Sequence, residues 1–180
     1  MPIIFAPIHI AFLELVIDPV CSLVFEAEKE EDDVMRRPPR SPTEPLLSLR
    51  LVAWGALQGA LAFAMAGGMF VFALRNGMPD DEVRALTFVA LVLGIFSLIL
   101  VNRSFSPSLR LALIRPNVAL VSILLGVCAV LGLCLTVLPL RELFRFGRLH
   151  YDDLALTIAS ALLILAVLEL LKPFWRALPR

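Results

Sequence analysis

The sequence predicts an all-α, polytopic membrane bundle of about five transmembrane helices, and three observations carry the prediction. Apolar residues fill 59% of the 180 positions and the mean hydropathy is +0.88, above the roughly 45–50% apolar content of soluble domains. Five apolar stretches approach the about 20 residues that an α-helix needs to cross a hydrocarbon core of about 30 Å. The 16 basic and 16 acidic residues fall mainly between those stretches. Balanced charge excludes a chain built to neutralise nucleic-acid phosphates, so the expected surroundings are a lipid bilayer and no nucleic acid.

Residues 1–25 form the first unit, with an apolar span over 3–25 that carries His9, Glu14 and Asp18. Its start has no basic n-region and no small-residue cleavage site, so the span is expected to stay in the mature protein. Residues 26–48 form a loop with seven acidic and four basic residues and the prolines Pro38, Pro39, Pro42 and Pro45. Charge and proline together forbid a continuous membrane helix there.

Residues 49–180 hold four further membrane helices, with apolar spans over 51–74, 85–101, 118–140 and 154–171. Gln58 is the strongly polar interruption of the first of these, and Glu169 the ionisable group within the other three. Two spans are short for a full crossing and call for tilt or flanking polar anchors. The connectors 75–84, 102–117 and 141–153 are short, which implies antiparallel neighbours in a compact bundle.

Alternating the five spans across the membrane sorts the basic residues unequally. One side collects Lys29, Arg36, Arg37, Arg40, Arg50, Arg103, Arg110, Arg115, Lys172, Arg176 and Arg180; the other collects Arg75, Arg84, Arg141, Arg145 and Arg148. Eleven against five makes the first side cytoplasmic by the positive-inside rule. The N-terminus is then outside and the C-terminus inside. The compact loops fit a bacterial plasma (inner) membrane, and an outside N-terminus without a signal sequence fits a chain that another helix precedes.

The candidate chemistry lies in the first span. Glu14 and Asp18 are four residues apart, which places them on one helix face about one turn apart. Acidic groups in mid-membrane are costly, about 2.5–3.5 kcal/mol for an aspartate at a helix centre, and they usually face a bundle interior or a water-filled cavity. Pro19 follows directly; lacking an N–H, it leaves the Leu15 carbonyl without its helical donor and should kink or unwind the helix. Carboxylates beside freed carbonyls are oxygen ligands suited to a hard cation such as Ca²⁺, and broken helices serve transporters in this way. The alternative is a protonated or paired carboxylate with a structural role. Two residues fall short of the roughly six oxygens that calcium takes.

Other polar and small residues read as structural. His9 is expected at the outer interface with its ring in reach of water. Glu169 and Lys172, three residues apart, are expected to pair at the end of the last span. Cys21, Cys128 and Cys134 read as buried small apolar residues. Gly55 and Gly59, with Gly67 and Gly68, offer a small surface on which a neighbouring helix could pack. No phosphate-binding glycine loop and no soluble catalytic arrangement is present in the sequence, so no catalytic residue is assigned.

The residues also carry a family resemblance. The run Pro7-Ile8-His9-Ile10-Ala11-Phe12-Leu13-Glu14-Leu15-Val16-Ile17-Asp18-Pro19, then Phe25-Glu26-Ala27-Glu28, then Asp33-Val34-Met35-Arg36-Arg37-Pro38-Pro39-Arg40, resembles the sixth transmembrane helix and following cytoplasmic loop of calcium-pump-like P-type cation-transporting ATPases. The last run matches the loop signature D-x-M-x-R-P-P-R, a more specific signal than any apolar helix. The other four spans are similar to helices seven to ten in number, spacing and orientation; Asn102-Arg103-Ser104 resembles the end of the eighth, and Arg115-Pro116-Asn117 the loop after it.

The resemblance implies that Glu14 and Asp18 are sixth-helix ligands of a transported cation, Ca²⁺ or another. It implies that residues 26–45 contact the cytoplasmic phosphorylation machinery. ATP and Mg²⁺ would act only through domains outside this sequence, so the implied partner is the N-terminal catalytic part of the pump or a separate subunit that carries it. Ile17 stands where calcium pumps usually have a threonine ligand, and residues 86–101 hold no carboxylate, so at most one cation site is implied. Alternatives from other classes are a free-standing membrane protein with a structural or regulatory role, and a bundle that conducts ions or protons passively through the same carboxylates.

Overall fold

The structure, a computed structural model, describes residues 5–27, 48–102 and 117–177. Among these residues there is no strand, and five helices are long and apolar enough to cross a membrane. They are α1 (Pro7–Pro19) continued by a π-helical stretch (Val20–Val24), α2 (Leu49–Arg75), α3 (Asp80–Asn102), α4 (Val118–Thr136) and α6 (Tyr151–Ala177). A short α5 (Leu138–Leu143) lies between α4 and α6. The expected loop over 26–48 falls mostly outside the described residues, as do Arg103, Ser104, Arg115 and Pro116.

Local chemistry sets each helix end. Pro7 opens α1, where its missing N–H costs nothing. Ser48 caps α2 by accepting from the Leu51 N–H at 3.2 Å, and Asn117 caps α4 by accepting from the Leu120 N–H at 2.9 Å, in each case satisfying an orphan donor. The far end of α2 closes as a Schellman turn: Gly77 takes the left-handed φ of +68°, its N–H donates to the Leu74 carbonyl, and the Met78 N–H donates to that of Ala73. Glycine is the residue that adopts this φ without steric cost.

The two spans expected to be short are not. α3 has 23 residues and α6 has 27, because both begin in acidic residues that a hydropathy reading assigns to the connectors. Asp80, Asp81 and Glu82 occupy the first turn of α3, and Asp152 and Asp153 that of α6; carboxylates stabilise a helix N-terminus through its dipole. The span expected over 118–140 divides instead. Val137 is extended and a separate helix starts at Leu138 with Pro139 in its first turn, since a proline ring clashes with the carbonyl one turn earlier and cannot continue α4.

The α3 helix is the centre of the bundle and the most buried of the spans. It packs on α2, α4 and α6, while α1 packs on α4 and α2 also meets α6. Phe12 and Val16 of α1 join Phe88, Val89, Val92 and Phe96 of α3 and Leu120, Val127 and Leu131 of α4 in the largest apolar core. A second core sets Met65, Met69 and Ala73 of α2 against Leu86 and Ala90 of α3 and Ala161 of α6. α3 faces α2 at Gly94, where a Cβ would sit in ordinary van der Waals contact, 3.7 Å from Ala62 and Met65. Outward-facing Leu15, Phe63, Leu125, Leu163 and Leu170 are exposed, an apolar surface suited to acyl chains or to further membrane helices.

Polar groups inside the bundle are paired. Gln58 of α2, 5% exposed, and Asn102 of α3 exchange two side-chain hydrogen bonds of 3.1 and 2.9 Å. Asn102 also donates to the Leu98 carbonyl at 2.9 Å. Ser97 donates to the Leu93 carbonyl of its own helix and to the Ala161 carbonyl of α6. Lys172 and Glu169 form the expected ion pair, 3.1 Å apart. Gly55 and Gly59 do not serve the described helices as expected: a Cβ at either would meet nothing within 4 Å.

Candidate ion site on the first helix

The α1 helix divides sharply into two faces. His9, Phe12 and Val16 are buried on one side; Ala11, Glu14, Asp18 and Ser22 are exposed on the other. Both carboxylates therefore share one open face of the chain, as the four-residue spacing requires. Neither reaches a neighbouring helix of the described structure through a hydrogen bond or ion pair that would neutralise it. Among the described residues no group of three or more His, Cys, Asp or Glu side chains is placed to hold a metal ion.

Pro19 does not end the helix. The chain passes through it at helical angles, φ −63° and ψ −31°, and continues as a wider, π-helical stretch over Val20–Val24. Such wide turns arise where the i→i−4 ladder is disturbed and are frequent at functional sites. The sequence points to a kink or unwinding here; the observed answer is a wider turn directly after Asp18 and Pro19. Asn117, at the start of α4, donates from Nδ2 to the Val24 carbonyl at 3.2 Å, so the last residue of the widened stretch is tied to the neighbouring helix.

His9 is not at a watery interface. It is 1% exposed and sits among the rings of Phe5, Phe88, Phe144 and Phe146, with centroids 5.2–5.6 Å away. Its Nε2–H donates to the Phe144 carbonyl at 3.0 Å, and its Nδ1 accepts from the Ala6 N–H at 3.0 Å. The second bond spans three residues at the helix start and satisfies an orphan amide, as the third-residue partner of a capping box does. The Ala6 carbonyl is meanwhile taken by the backbone N–H of His9.

The segment that receives His9 is held from α3. The Arg84 guanidinium donates to the Arg145 carbonyl at 2.7 Å, and the Gly147 N–H donates to the Asp81 carbonyl at 2.9 Å. Sequence reading placed Glu14 and Asp18 correctly on one face, but it missed the bonds of His9 and Asn117 that hold this helix. The partners are backbone carbonyls 135 and 93 positions away, and no residue type announces a carbonyl acceptor. The one legible signal was the cost of a ring nitrogen or an amide in an apolar segment, which requires some partner.

A family model described as cation transporting ATPase, C-terminus, matches residues 2–174. A search of curated proteins found no match.

Proposed function

Because the chain belongs to the family of cation-transporting ATPase C-termini, we propose that it is the membrane-embedded C-terminal part of an ATP-driven pump in which Glu14 and Asp18 supply carboxylate oxygens to the transported cation. Membership in the family and five membrane-length helices make the chain an integral membrane part of a cation pump. The observation that carries the finer reading is the placement of both acids on the one face of α1 that the other four membrane helices leave open. Lipid is a poor neighbour for that face, since an aspartate at a helix centre costs about 2.5–3.5 kcal/mol. A cation with further oxygen ligands, supplied by the other membrane helices of the pump, offsets the cost.

The ligand set is of the hard type: carboxylates, joined by backbone carbonyls near Pro19, where proline has removed a helical donor. Calcium fits that chemistry, and other hard cations fit it as well. Hydrolysis of ATP, with its Mg²⁺, belongs to the catalytic part of the pump, whether that part lies in the same polypeptide or in a separate subunit. The loop over 26–45 is the segment through which phosphorylation there reaches α1. The widened stretch after Pro19 is the place where α1 changes shape most cheaply, because its hydrogen-bond ladder is already interrupted. A shift there alters access to Asp18.

The test is cation-stimulated ATP hydrolysis in membranes that contain the assembled pump. Glu14→Gln and Asp18→Asn keep side-chain size and remove the charge, and each is expected to abolish stimulation while the protein still reaches the membrane. Unchanged stimulation in both variants would remove the ligand role.

A further inference from the structure

Helical geometry relates His9 to the two carboxylates. At 3.6 residues per turn each residue turns about 100° about the axis, so Asp18, nine positions on, lies about 180° from His9 and Glu14 about 140°. His9 is also bonded across the bundle, from Nε2 to the Phe144 carbonyl, while its Nδ1 holds the first turn of its own helix through the Ala6 N–H. Phe144 belongs to a segment that α3 in turn grips through Arg84 and Asp81. A ring bonded at both nitrogens fixes direction, which the apolar neighbours do not: Phe12 and Val16 pack on α3 and α4 by non-directional contacts that tolerate some rotation of α1.

We propose that His9 is a positioning residue for the cation site: by binding the Phe144 carbonyl it sets the rotation of α1 about its own axis and so aims Glu14 and Asp18 out of the five-helix chain. The proposal rests on the reading of those two acids as cation ligands and adds a residue that touches no cation. The Asn117 bond to the Val24 carbonyl holds the opposite end of the same helix. Between the two tethers lies the stretch with Pro19 and the π-helical turn, so the ends are set and the middle is left to deform. A ligand displaced by even 1 Å can cost up to about a hundredfold in function, and a small rotation of a helix moves a side-chain tip by that much.

Two measurements test it. In lipid-reconstituted chain whose three cysteines are replaced by alanine, a cysteine at Ala11, on the carboxylate face, is labelled by a membrane-permeant maleimide, and a cysteine at the partly buried Leu13 serves as its comparison. With His9 present, Ala11→Cys should react several-fold faster than Leu13→Cys. His9→Phe and His9→Leu, two apolar replacements in case one does not fold, should narrow the difference. His9→Gln, which keeps an N–H for the Phe144 carbonyl, should restore it. Phe146→Leu, which loosens the aromatic surroundings and leaves the hydrogen bonds, should keep it; an equal effect of Phe146→Leu would assign the orientation to packing and overturn the proposal.

In the assembled pump, His9→Phe should raise the cation concentration needed for half-maximal ATP hydrolysis by about tenfold and leave the maximal rate within about twofold, with rescue by His9→Gln. An unchanged half-maximal concentration, with stimulation still abolished by Glu14→Gln, overturns the role of His9 and leaves the site intact. Stimulation that survives Glu14→Gln and Asp18→Asn overturns the site itself.

Discussion

Gly147 shows how a single absent side chain holds one end of the bundle together. A Cβ at this position would lie 2.6 Å from the Glu82 amide nitrogen and 2.9 Å from the Asp81 carbonyl carbon. Both are backbone atoms of the first turn of α3, so no rotamer change relieves the clash. The same close approach forms the bond from the Gly147 N–H to the Asp81 carbonyl. Gly147→Ala must push the segment off α3, and overpacking of this kind costs about 1–3 kcal/mol. A lowered melting temperature of the detergent-solubilised chain is the expected readout. Since Phe144 and Phe146 belong to the same segment, the variant should also weaken the surroundings of His9, whereas Gly126→Ala, in mid-helix with nothing within 4 Å of the added Cβ, should not lower the melting temperature and should raise it slightly through helix propensity.

Between elements, the Gln58 and Asn102 amides link α2 to α3 in a region otherwise joined by apolar contacts. Removing Gln58 takes the donor from Asn102 Oδ1, while Asn102 keeps its bond to the Leu98 carbonyl. Gln58→Leu should therefore destabilise the helix pair, and the double variant with Asn102→Leu should cost less than the sum of the single changes. Hydrogen bonds within membrane proteins average about 0.6 kcal/mol in such cycles, with a maximum of about 1.7 kcal/mol; unfolding in mixed micelles measures the coupling, and strict additivity would show that the two amides act independently. The existence of the five helices was legible in apolar length alone, because a bilayer leaves few ways to satisfy backbone groups. Their ends were less legible, since Asp80 and Asp152 look like connector residues until the helix dipole is counted, and Pro139 hides in an apolar run. The face of α1 that carries Glu14 and Asp18 followed from spacing. The partner of Gln58 did not, for pairing across 44 positions depends on how α2 and α3 are placed, and one sequence fixes no such register. The open surface at Gly55 and Gly59 was misassigned because small residues permit close packing without requiring it.

Across the whole molecule the contacts sort the helix ends into two sets. His9, Phe144, Arg145, Gly147, Asp81 and Arg84 meet at one end. At the other, Val24 meets Asn117, Gln58 meets Asn102, and Arg50 donates to the Trp175 carbonyl beside the tilted pair of rings of Trp54 and Trp175. The five helices thus alternate in direction, and the basic residues divide with them: Arg75, Arg84, Arg141, Arg145 and Arg148 go with the first end, while Arg50 and Lys172 go with the second. The connectors that join helices at the second end carry seven more, Lys29, Arg36, Arg37, Arg40, Arg103, Arg110 and Arg115. Basic residues near helix ends are retained on the cytoplasmic side of a membrane, so the second end is expected to face the cytoplasm, with the Glu14 and Asp18 helix entering from outside. Alkaline phosphatase inserted after Gly77 should then be active in bacterial cells and inactive after Arg180, with the opposite pattern for a fluorescent protein. Replacing Arg36, Arg37 and Arg40 by glutamine leaves eight basic residues against five, and should produce a minority of inverted chains that report phosphatase activity at the C-terminus. Phosphatase activity after Arg180 in the unaltered chain would invert the bundle and put the loop over 26–45 on the side away from ATP, where it could not pass phosphorylation to α1.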